Sequence, residues 1–85
     1  MNKDRMNNVP VIDVARAAMS LLNVAQDLKP EEFVPAYAAS FLLVCERYGL
    51  KPQEVFTAAS NIMNYAQTRR PEFRAVDAFV RKELP

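Results

Sequence analysis

The chain predicts an all-α fold, a compact single domain of four helices, on three observations. Twelve alanines favour helix over strand. A single glycine, with no Asn-Gly, Asp-Gly or Gly-Gly pair, leaves no ready β-hairpin turn. Prolines at 10, 30, 52 and 71 each precede a segment of helical periodicity. Proline suits a first helical turn because its missing N–H has no partner to lose there. Four such starts predict helices over about 11–26, 35–48, 53–68 and 72–84.

Each element has its own signals. Residues 1–9 are polar and lack apolar periodicity, so they read as a flexible or disordered tail ahead of a helical domain at 10–85. In the first helix Asp13, Arg16, Ser20, Asn23 and Asp27 make one narrow polar stripe, and the rest of the circumference is apolar. LKPEEF at 28–33 and LKPQEV at 50–55 resemble each other because both are helix starts. In each, proline stands first, glutamate third, and a leucine before the helix faces an apolar residue in its first turn, a hydrophobic staple. With no third copy, the pair is not a repeat array.

Pro35 follows Pro30 by five residues and removes a helical donor, which predicts a short extra turn at 30–34 before the second helix. That helix is apolar nearly all round until Glu46. The third helix offers a core face of Val55, Ala58, Ala59, Ile62, Met63 and Ala66. The fourth offers Phe73, Val76, Phe79, Val80 and Leu84, with charge on its other side.

At 85 residues only one core fits. A chain of 9.6 kDa should keep about 5,100 Å² accessible when folded, roughly 60% less than when extended, enough for a modest core without disulfide or metal. The lone Cys45, among apolar neighbours, cannot form an intrachain disulfide and reads as a buried small hydrophobe. The N-terminus carries no signal-peptide pattern, and the apolar stretch from Phe33 to Cys45 falls well short of the roughly 20 residues a membrane span needs. A cytoplasmic protein with no membrane association is expected.

A helix that is apolar on every side wants neighbours on every side. The first two helices ask for more cover than the last two supply, so the surplus predicts a partner surface. The simplest partner is a second copy in a two-fold homodimer. Val11, Ile12, Met19, Leu22, Tyr37 and Phe41 are the candidates for this self-association or partner face.

Chemistry enters mostly by exclusion. The chain has no histidine, one cysteine and one glycine, which removes the commonest general base, zinc ligation and glycine-rich phosphate loops. No cofactor and no metal are expected. Glu31 and Glu32 sit at a helix start, where acids are structurally favoured, and Asp77 lies between Arg74 and Arg81, where ion pairing explains it. A small carboxylate-dependent enzyme is the weakest reading, and no catalytic residues are assigned.

The stretch LLVCERYGLKPQEVFTAASNIM, residues 42–63, has Cys45 four before Gly49 and Val55 six after it. A small residue lets two helices cross closely, glycine permits a left-handed turn, and the later apolar residue locks the second helix. In this the stretch resembles the helix-turn-helix unit of bacterial and phage transcription regulators. It departs from the motif at Ala58, where a large aliphatic residue is usual, and in placing Lys51 and Pro52 in the turn. The resemblance implies that the helix over 53–68 enters a major groove. It would present Gln53, Thr57, Ser60, Asn61 and Asn64 to base edges, with Arg69, Arg70 and Arg74 on phosphates.

Charge tests that implication. Residues 1–68 carry six basic and seven acidic side chains and residues 69–85 five and three, so the total is only +1. Nucleic-acid binders draw most of their affinity from phosphate neutralisation and carry a clearly basic face. The sequence therefore predicts a small non-enzymatic interaction or regulatory protein, of the kind found in bacteria and their phages, with a protein partner and a homodimeric state. A DNA-binding regulator is the alternative.

Overall fold

The computed structural model describes all of residues 1–85, in one all-α globule of 35 × 29 × 20 Å. Five helices follow one another: α1 (Lys3–Asn8), α2 (Val11–Asn23), α3 (Pro30–Tyr48), α4 (Pro52–Met63) and α5 (Pro71–Glu83). A 3-10 turn over Val24–Asp27 joins α2 to α3. A two-residue antiparallel ladder pairs Asn64 with Arg69 and Tyr65 with Thr68 between α4 and α5. No helix is long and apolar enough to cross a membrane.

The four proline starts stand where the sequence places them, and the departures from expectation have local causes. Residues 1–9, expected as a flexible or disordered tail, contain α1. The Asn2 side chain accepts from the Asp4 amide at 2.8 Å and Asp4 occupies the first turn, so cap and dipole both favour a short helix. It ends at Val9, held extended before Pro10. The first helix stops at Asn23, not Gln26. Gln26 Nε2 donates to the Asn23 carbonyl at 3.1 Å and to Asn23 Oδ1 at 2.7 Å, in the tighter 3-10 turn.

Helix α3 runs unbroken from Pro30, so 30–34 is its first turn and Pro35 lies inside it. The donor lost at Pro35 would have met the carbonyl of Glu31, and both residues are exposed. Water can satisfy that carbonyl, which is why the helix passes through. At its other end Gly49 takes φ 65°, Leu50 N donates to Cys45 O at 2.9 Å and Gly49 N to Glu46 O at 3.3 Å. This is a Schellman termination with glycine in the left-handed position.

Helix α4 ends at Met63, five residues short of the expected 68. The chain turns extended at Asn64 and reverses through Ala66, whose φ of 54° is the left-handed region. The hairpin forms without a glycine, and Ala66 leaves the apolar face expected of α4. The Arg70 amide then donates to the Met63 carbonyl at 2.8 Å, setting the start of α5 against the end of α4.

The core sits where α2 lies against α5 and the end of α4. Ala15, Phe73 and Val76 are buried, with Val11, Val14, Ala18, Met19, Leu22, Ile62 and Met63 packed around them. Helix α3 joins through a single flank. Phe33 and Cys45 are buried, the Tyr37 hydroxyl donates to the Leu21 carbonyl, and the Phe41 ring stacks on Phe56 of α4 at 4.9 Å.

The two left-handed residues should respond oppositely to substitution. Gly49→Ala meets no steric neighbour and imposes only φ strain, so it should lower unfolding free energy by about 1 kcal/mol. Ala66→Gly relieves the same strain and should raise it by up to about 1 kcal/mol. Urea titrations of both variants read the two signs.

Candidate functional site

Helix α3 at 3.6 residues per turn divides into two faces. Phe33, Tyr37, Phe41 and Cys45 follow one another at four-residue spacing and turn toward the other helices; none of them is fully exposed. On the remaining circumference Val34, Leu42, Leu43 and Val44 stand 62, 50, 64 and 49% exposed, with Ala36, Ala38 and Ala39 also open between them. Phe56, on the adjoining α4, is 51% exposed outside its stack with Phe41. A second apolar group, Leu21, Val24 and Leu28, is exposed at the end of α2 and in the turn beyond it.

The total accessible surface is also large for a chain of this size. Accessible surface is 6478 Å² where a folded monomer of 9.6 kDa exposes about 5,100 Å², a surplus of about 1,400 Å². The radius of gyration of 13.4 Å likewise exceeds the roughly 12 Å of a tightly packed domain of 85 residues.

Of the six residues the sequence nominates for this face, most turn inward. Val11, Met19 and Leu22 pack on the core cluster. The Tyr37 ring meets Phe33 edge-on at 6.0 Å while its hydroxyl reaches α2, and Phe41 is held by Phe56. Ile12 is exposed. The open face of α3 is carried instead by Val34, Leu42, Leu43 and Val44. Periodicity could not show this, because a helix apolar all round has no phase to read.

The nominated nucleic-acid residues are scattered by the hairpin. Gln53, Thr57, Ser60 and Asn61 lie exposed along α4, whereas Asn64 has left the helix for the ladder. Thr57 Oγ1 donates to the Gln53 carbonyl at 3.1 Å, and Asn64 Nδ2 to the Ser60 carbonyl at 3.2 Å. Helix α1 stands beside this flank. Lys3 Nζ lies 3.5 Å from Glu54 Oε2, and Thr57 and Asn61 share a cleft with Met6 and Asn7.

Two of the three nominated arginines are engaged within the chain. Arg70 Nε donates to the Asn61 carbonyl at 3.2 Å and its guanidinium lies 5.6 Å from the centre of the Tyr65 ring. Arg69 Nε lies 3.6 Å from Asp77 Oδ2, and Arg74 is exposed.

Asp77 thus bridges two arginines, since Arg81 Nε donates to its Oδ1 at 2.8 Å. Its third of a side chain left exposed faces a cleft of about 310 Å³ between α2 and α5, floored by Ala18, Leu22, Phe73 and Val76. The hydrogen bond from Arg81 lowers the Asp77 carboxyl most; desolvation opposes it, and the charges of Arg81 and then Arg69 add to the lowering, so the carboxyl rests below its ordinary value.

No family model matches the chain, and neither a curated protein nor a solved structure matches it.

A folded-state value below the unfolded one means that Asp77 stabilises the fold above the ordinary carboxylate value of about 3.9, and that this contribution fades as pH falls through the lowered value. Asp77→Asn should therefore lower the thermal midpoint near neutral pH and lose that difference in strong acid. Thermal melts of both proteins across an acid series check the sign.

Proposed function

We propose that this chain is a small non-enzymatic helical protein that binds another macromolecule through exposed apolar helix surface and works as a homodimer. The observation that carries the reading is the set of large aliphatic side chains left half or more exposed on α3, Val34, Leu42, Leu43 and Val44, in a chain whose total surface exceeds the size expectation by about 1,400 Å². Large apolar patches of this kind mark interaction sites. A standard interface removes about 800 Å² from each partner. The open flank of α3 offers a place for one such interface, and Leu21, Val24 and Leu28 offer a second for a different macromolecule. The single buried cysteine suits a reducing compartment, so the setting proposed is the cytoplasm, in the manner of small regulatory proteins of bacteria or phages.

The runner-up is a helix-turn-helix regulator. What supports it is the left-handed Gly49 between α3 and α4, placed as the motif requires. It has less room than the sequence implies, because Arg69 and Arg70 are engaged and α1 flanks α4.

Two measurements separate the readings. Light scattering on a sizing column should give about 19 kDa, twice 9.6 kDa, whereas a 9.6 kDa species at high concentration would sink the homodimer. Titration of labelled duplex DNA at two salt concentrations should show no steeply salt-dependent binding; such binding would favour the runner-up.

A further inference from the structure

One i+4 row of α3 carries opposite charges at its two ends. Glu31, Pro35, Ala39, Leu43 and Arg47 make that row, and all five are exposed. An acid opens the row, a base closes it, and the smallest side chain stands in the middle. Neither Glu31 nor Arg47 has an ion-pair partner in its own chain. Arg47 only lies over the neighbouring Tyr48 ring, at 5.3 Å. Val34, Ala38 and Leu42 form the apolar row alongside, and Glu32 and Glu46 lie off the acid-to-base row.

We infer that the occupant of this face is a second copy of the chain, with α3 docked antiparallel against its mate about a two-fold axis passing near Ala39. This rests on the homodimer reading above and adds the face and the register. In the commonest packing class of globular proteins, i+4 ridges of two helices lie alongside each other, and interaxial distances fall to about 8 Å when the residues at the crossing are small. Ala38 and Ala39 meet that condition. Leu42 and Leu43 of each copy then cover the Val34 and Pro35 end of the other.

Two-fold symmetry requires each contact to recur with the roles exchanged. Glu31 and Arg47 each lie eight residues from Ala39, about 12 Å along the helix axis. Antiparallel docking therefore sets Glu31 of each copy toward the partner's Arg47, and a parallel arrangement sets like charges together. The large side chains such docking covers, Val34, Leu42 and Leu43, are each at least half exposed in the single copy.

The test is a cross-link at the axis. Ala39→Cys should oxidise to a covalent dimer of about 19 kDa on a non-reducing gel. Ser60→Cys, exposed on α4, should not, and nor should the wild type, whose only thiol, Cys45, is 2% exposed. Leu43→Asp replaces a side chain outside the core, so it should keep the far-ultraviolet helix signal and yield a 9.6 kDa species by light scattering. Glu31→Arg should weaken dimerisation about fivefold, and adding Arg47→Glu on the same chain should restore it. A dimer that fails to cross-link at position 39, or that survives Leu43→Asp, overturns this face and leaves the homodimer standing. A dimer indifferent to both charge changes overturns the register, and a wild-type monomer overturns this inference together with the homodimer.

Discussion

The close contact of α2 with α5 is the constraint from which the rest of the architecture follows. It depends on Ala15, which is 3% exposed and sits with Phe73 and Val76. A methyl group at that position brings the two helices near enough for the larger rings and branches to close over it, and interiors packed at crystal density leave little tolerance there. To reach α2, α5 must be turned back sharply from α4. The chain accepts a left-handed alanine at 66 and a two-residue ladder to do so, and the Arg70 amide on the Met63 carbonyl fixes the corner. Asp77 and its two arginines then brace the outer side of the same helix.

That arrangement leaves α3 with one partner flank instead of several. Only six side chains in the chain are buried, and two of them, Phe33 and Cys45, are the contribution of α3, the longest helix. The Tyr37 hydroxyl and the Phe41 stack on Phe56 tie it to its neighbours along a single stripe. Apolar area turned to water costs roughly 25 cal/mol for each Å², so covering the open flank would be favourable. Buried area does not convert directly into affinity, because docking must also offset lost rotational and side-chain freedom. Alanine and proline lose none of that side-chain freedom and leucine only about 0.5–1 kcal/mol, which makes this flank cheaper to immobilise than one built of lysine, arginine or methionine.

Much of the fold was legible in the sequence because each start carries its own chemistry. Pro30, Pro52 and Pro71 open α3, α4 and α5 in the structure, and Gly49 ends α3 with the φ only glycine adopts without strain. The illegible parts are those where tertiary demand overrides a local rule. Nothing in Asn64 to Arg69 announces a hairpin, since Ala66 takes the glycine role under strain. Pro35 warns of a break that does not occur, because the lost bond faces water. The capping signal of α1, Asn2 before Asp4, was present, but six polar residues offer no apolar period to support it. At the candidate site it was readable that α3 is apolar nearly all round, and which of its flanks stays open was not. The inward or outward turn of Tyr37, Phe41, Leu42 and Leu43 depends on which neighbours α3 meets.

The same geometry weighs the two modes of binding against each other. A chain of net charge +1, with eleven basic side chains against ten acidic ones, has little overall attraction for a polyanion. Arg69 and Arg81 are spent on Asp77, Arg70 on the Asn61 carbonyl and the Tyr65 face, and Lys3 on Glu54. Recruiting these groups to phosphate would exchange those surface contacts for new ones. The aliphatic flank of α3 has no competing duty: its large side chains lie outside the core and can be covered without dismantling anything. An interface built there adds burial to a finished fold, whereas a phosphate-binding face on α4 and the hairpin would give up the present contacts of Arg69 and Arg70 and be left with Arg74 alone of the nominated arginines, and that asymmetry is the physical ground for proposing association ahead of DNA binding.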